Sequence, residues 1–256
     1  RSSPFAFTGN KFEIRAVGSS QNCAGPMTVM NTMMGLQLIE FKNDVDKLMA
    51  KGTEKEEAIL MVLKNYIRKL KPILFEGNNY SDEWKEEAKN RGLANHANTP
   101  DALAVLGTKH AEEFFGKSSV LSKTELEALL NVQLHAYCTK LDIEAKTLAD
   151  MVQASVMPAV IRYQTELAHN LAALKAIGMD DSAGFQKDTL QRIGELATTV
   201  KKGLEKMEKG LDKAHRTDDL QEEANIFCES VKPQMERIRE AVDELDIDYG
   251  GDAIEI

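Results

Sequence analysis

The sequence predicts a mainly α protein: a long antiparallel helical bundle preceded by a short N-terminal β segment. Three observations carry that prediction. Ala, Leu, Glu and Lys dominate a chain whose aromatic content is only 6%, a composition that suits helices. Apolar residues recur in steps of three or four through most of the stretch from Leu130 to Leu245. Only "KFEIRAV", residues 11–17, alternates polar and apolar over its first five positions, the period of a strand with one covered face. With 256 residues, 43% of them hydrophobic, the chain is long enough for one large domain or two smaller ones.

The elements follow in order. After the strand, "VGSSQNCAGP" breaks regularity, and Pro26 suits the first position of a helix that runs to Gly52. Thr53 and Glu56 form a capping-box pattern for a helix over 54–71, which Pro72 ends. Ser81 caps a short helix to about Arg91, closed by Gly92. Thr99–Pro100 opens another over 100–106, and a further one covers 108–116. Ser122 and Glu125 form a second capping box. Behind it lies the longest periodic segment, 123–177, where Leu130, Leu141, Val152, Tyr163 and Leu174 are spaced by eleven. That repeat gives about 3.67 residues per turn and a nearly straight rod, roughly 80 Å long at about 1.5 Å per residue. Pro158 predicts a kink in it. Gly178 and "MDDSAG" make a turn, and Leu190 to Leu211 define a second rod. Asp218 with Gln221 resembles the cap of a third, which runs to Leu245 and holds Pro233 as a second kink. Rods joined by short turns pack as an antiparallel bundle. The tail "DIDYGGDAIEI" reads as loose.

Net charge is −9, and no dense Lys/Arg run gives the basic face that nucleic-acid binding requires. No apolar run reaches the roughly 18 residues of a membrane span. Cys23, Cys138 and Cys228 match neither a zinc spacing nor a disulfide framework, which predicts free thiols and a reducing cytoplasm. The chain opens on a charged, turn-rich segment that lacks a starting Met, which suggests a piece of a larger protein. His96, His110, His135, His169 and His215 are scattered without metal-ligand spacing, and read as surface or packing residues. Met30, Met33 and Met34 read as core filler, and Trp84 as an ordinary buried side chain. Gly203 and Gly210, seven apart, either permit close helix approach or weaken their helix.

Chemistry points to Lys11, Glu13 and Arg15. Side chains two apart on a strand share a face, about 6.6 Å apart. The row is therefore basic, acidic, basic. A carboxylate so placed can hold Mg²⁺ or Mn²⁺, which favour oxygen ligands. The flanking cations can hold phosphate or a carboxylate, Arg15 in bidentate fashion. By spacing alone, the commoner meaning of such a row is a solvated sheet face with cross-strand pairs.

The whole opening string says more. "RSSPFAFTGNKFEIRAVGSSQNCAGPMTVMNT" and the later "FEGNNYSDEWKEEAKNRGL" closely resemble the late active-site segment and following region of type III glutamine synthetases. The resemblance extends over nearly all of the chain and into its helical C-terminal part. It implies that the β segment is one strand of that family's catalytic sheet. It further implies that residues 1–95 form the C-terminal edge of a catalytic domain and 96–256 a helical bundle domain. By the same resemblance, Glu13 matches the glutamate on the metal that bridges the ATP phosphates, and Arg15 the arginine on glutamate and its acyl phosphate. Lys11 falls near ATP, and Arg1 among the arginines that steady the phosphates. The implied cofactors are ATP with Mg²⁺ or Mn²⁺. The implied substrates are glutamate and ammonia, joined to give glutamine, and the implied assembly is a ring-type homo-oligomer. The alternative is a non-catalytic helical module whose task is oligomerisation.

Overall fold

The computed structural model describes residues 5–7, 9–14, 22–74, 77–78 and 81–249. It is mainly helical and divides into two compact units, one of residues 1–97 with 108–126, the other of 98–107 with 127–256.

The first unit opens with a hairpin. Strand β1 (Phe5–Phe7) pairs antiparallel with β2 (Phe12–Ile14), with Phe5 opposite Ile14, Ala6 opposite Glu13 and Phe7 opposite Phe12. Gly9 takes φ +101° in the connection, a backbone region that residues with a Cβ rarely adopt. Of the alternating stretch 11–17, Phe12–Ile14 forms β2 and Lys11 lies in the bend before it, while residues 15–17 lie outside the described residues.

Helix α1 (Ala24–Met49) starts two residues before Pro26, and the Asn22 side chain accepts from the Ala24 amide at 2.8 Å. It ends as Gly52, with φ +93°, turns the chain back and lets the Thr53 amide reach the Leu48 carbonyl. Glu54, not Thr53, caps α2 (Lys55–Leu70). The two helices meet over Val45, Ala58 and Val62, flanked by Phe41, Leu48, Ile59 and Tyr66. Phe41 and Tyr66 pack edge to face at 5.9 Å. This core is small, and much apolar surface stays open around it. Leu60 is 57% and Ile67 62% exposed, with Leu63 and Leu70 on the same stripe. Met33, expected in a core, is 47% exposed, and Met34 is exposed too.

Helix α3 (Asp82–Asn90) is capped by Ser81, whose hydroxyl oxygen accepts from the Trp84 amide. In the second unit, α4 (Thr99–Ala104) is capped by Asn98, one residue ahead of Thr99. Helix α5 (Lys109–Ser118) belongs to the first unit and is capped by Thr108. Helix α6 (Lys123–Met151) opens with the capping box as the sequence places it: Glu125 accepts from the Ser122 amide at 2.8 Å, and Ser122 Oγ accepts from the Glu125 amide at 3.3 Å.

The second unit is a bundle of three rods. The first is α6 continued through a π-helical turn (Val152–Val156) into α7 (Met157–Ala176). The second is α8 (Gly184–Ala214), which starts six residues before Leu190. The third is α9 (Leu220–Ile226), a second π-helical turn (Phe227–Val231) and α10 (Lys232–Tyr249). Asp219 rather than Asp218 caps it, accepting from the Glu222 amide at 2.9 Å. Each π turn ends two residues before a proline, Pro158 or Pro233. A proline has no amide to donate and its ring crowds the preceding turn, so the wider turn absorbs the misfit inside a continuous rod. Neighbouring rods run antiparallel: Arg192 of α8 reaches Glu244 of α10, while Gly210 lies against Val231. Between them Leu134, Val152, Val160, Ile193, Val200, Met207, Phe227 and Ile238 form one buried core.

Candidate functional site

Of the four residues singled out for chemistry, Lys11 and Glu13 are described, whereas Arg1 and Arg15 lie outside the described residues. The Lys11 ammonium stands 3.5 Å from a Glu13 carboxylate oxygen, so the two project to one side of the hairpin. Glu13 sits in β2 opposite Ala6, and Lys11 in the bend just before that strand. The Glu13 side chain is 35% exposed, which leaves its carboxylate reachable from solvent.

One carboxylate can give a divalent cation one or two oxygen ligands. Mg²⁺ takes six and completes its shell with waters and phosphate oxygens. The donor type therefore fits, as a single ligand. Among the described residues no three His, Cys, Asp or Glu side chains converge to complete a metal centre.

Sequence reasoning missed a second constellation. Arg91, at the end of α3, donates from its guanidinium to the carbonyls of Pro72 (3.2 Å) and Leu74 (2.8 Å) and to Glu87 (2.7 Å). It also lies over the Trp84 ring at 5.4 Å. Trp84 is thus half-buried beneath a cation, not an ordinary core residue. The available signal was the spacing of Trp84, Glu87 and Arg91 by three and four, which places them on one helix face. His215 pairs with Asp142 at 3.0 Å and packs edge-on to Phe227, a packing role as expected.

Fold and site together define a helical-bundle protein that carries a small, charged β-hairpin at its N-terminal end. The glutamine synthetase C-terminal domain model matches residues 58–175. The chain is 37% identical over 252 residues to a glutamine synthetase of Bacteroides fragilis, covering 97% of this chain and 35% of that protein. It is 34% identical over 251 residues to a type-3 glutamine synthetase of Dictyostelium discoideum, covering 96% and 34%. A glutamine synthetase of Butyrivibrio fibrisolvens matches at 28% over 249 residues, or 95% and 34%. The chain belongs to the glutamine synthetase family. It spans about a third of the length of these relatives.

Proposed function

We propose that this chain is the C-terminal part of a type-3 glutamine synthetase. The observation that carries the reading is its 34% identity, over 96% of its length, to a relative so named. The reaction has two steps. The γ-carboxylate oxygen of glutamate attacks the γ-phosphorus of ATP and ADP leaves. Ammonia then attacks the resulting acyl phosphate carbon, phosphate departs, and the nitrogen loses its extra proton to give glutamine.

In this reading Glu13 would give an oxygen ligand to Mg²⁺ or Mn²⁺. That ion, when bound, offsets the charge of one anion approaching another. Lys11 steadies the nucleotide, Arg15 holds glutamate and its acyl phosphate, and Arg1 neutralises phosphate. Preorganised cations at developing negative charge are the main catalytic resource of such a site. The 3.5 Å pairing of Lys11 with Glu13 supports the assignment, because it holds acid and base together on an accessible face.

Residues 1–95 supply the edge of the catalytic domain, with the hairpin as part of its sheet, and 96–256 the helical bundle domain. The uncovered stripe of Leu60, Leu63, Ile67 and Leu70 supports that division, since a two-helix hairpin with so small a core needs further cover. The chain by itself does not make glutamine, because the rest of the site must come from elsewhere in the protein. The full protein acts in the cytoplasm as a ring-type homo-oligomer; no described helix is long and apolar enough to cross a membrane. A second reading, a purely structural bundle for self-association, draws on the apolar outer face of α6 (Val132 and Ile143 both exposed).

The deciding experiment is Glu13→Gln in the full-length protein, with turnover titrated against Mg²⁺ and Mn²⁺. Turnover should fall on the order of 10²-fold with melting unchanged. Wild-type metal dependence in the variant would remove Glu13 from the metal site.

A further inference from the structure

The α6 rod has two apolar sides. Leu134, Cys138, Leu141 and Ala145 face the bundle core. On the opposite side Val132 and Ile143 are 63% and 59% exposed, with the short side chains of Ala136 and Thr139 between them. Together with His135, Lys140 and Glu144 these four form one open face of the helix. A helix apolar on one side only is a surface helix; one apolar on both is built to be covered twice.

We propose that this outer face of α6 docks against the same face of a second copy, antiparallel, about a two-fold axis. The charge pattern selects that occupant. Lys140 and Glu144 sit on one flank of the stripe, one turn apart, and pair with each other at 3.8 Å, so a partner's pair would extend this one into a four-charge cluster. In a two-fold antiparallel helix pair, each flank meets the same flank of its partner. An axis close to residues 141–142 then brings Lys140 of each copy beside Glu144 of the other, twice. The same axis lays Ile143 of each copy over the short Ala136 and Thr139 of its mate, a knob over a socket. A parallel arrangement sets this flank against the opposite one and loses both ion pairs. The stripe is short, so the contact is small beside the roughly 1,200–2,000 Å² of a standard interface, and the association is correspondingly weak. This proposal gives a surface to the self-association proposed above, and rests on that part of the reading alone.

Sedimentation equilibrium of the 256-residue chain, with circular dichroism as a check on folding, tests it. The wild type should show a reversible monomer–dimer equilibrium. Lys140→Glu and Glu144→Lys should each weaken it about tenfold or more, since each sets like charges face to face twice. The double swap should restore it to within about threefold. Since the swap also restores the ion pair within the helix, the contact across the axis requires that loss and rescue occur at unchanged helix content and melting midpoint; association that tracks the melting midpoint overturns it. Ile143→Ser should abolish the dimer. A wild-type chain that stays monomeric overturns both this contact and self-association through this part of the protein. A dimer indifferent to all four variants overturns the α6 contact and leaves self-association standing.

Discussion

At the scale of single residues, Gly203 shows how little room the bundle leaves. A Cβ at this position would stand 2.6 Å from Cγ1 of Ile238, itself fully buried. Gly210 is similar, with Cγ2 of Val231 at 3.0 Å. Of the two meanings the sequence allowed for this pair, close approach of α8 to the third rod is the one the fold uses. Gly203→Ala should therefore destabilise. The gain in helix propensity is about 1 kcal/mol, and overpacking costs about 1–3 kcal/mol. We expect a net loss near 1 kcal/mol in urea denaturation of the chain. Cys138 offers a second test. Burial pushes its thiol up from 9.0 to about 12, so the folded state holds this proton more tightly than the unfolded chain. Its contribution is complete below about pH 9 and is lost as pH rises toward about 12. Wild type should lose more stability than Cys138→Ala between pH 8 and about pH 10.5, compared by urea midpoints. In the same protein iodoacetamide should label the exposed Cys23 and spare Cys138 until the bundle unfolds.

At the scale of elements, helix existence was legible in the sequence and helix starts were less so. Ser122–Glu125 formed the box where the pattern put it. At α2, α4 and the third rod the cap moved by one residue, to Glu54, Asn98 and Asp219. Each competing pair held two side chains able to accept from an amide, so the pattern alone leaves the start uncertain by one residue. The prolines were read as kinks, and the π turns upstream show how a rod absorbs one without ending. Helices α1 and α2 differ from the rods in what covers them. Their shared core is three buried residues with four flanking ones, against a continuous core in the bundle. In hydrogen exchange on this chain, amides of α1 and α2 should exchange at least about tenfold faster than those of α8, because local opening there exposes little new apolar surface. Equal protection would mean that this hairpin is complete as it stands.

At the scale of the whole molecule, the chain is two compact units, and its family membership rests on similarity that runs across both. The chemistry proposed for the hairpin needs groups beyond the described residues, and that is why the Glu13→Gln experiment belongs in the full-length protein. The sequence by itself determined the helical class, the three rods, their turns and the strings that resemble the family. These are local properties: periodicity, caps and breakers act over a few residues. Tertiary structure decided which apolar stripes are covered. Met33 and Leu60 carry the same hydrophobic signal as Val200, yet only Val200 found a partner surface. It also decided that Gly203 serves contact and that Arg91 donates to the carbonyls of Pro72 and Leu74, because such contacts depend on what arrives from elsewhere in the chain.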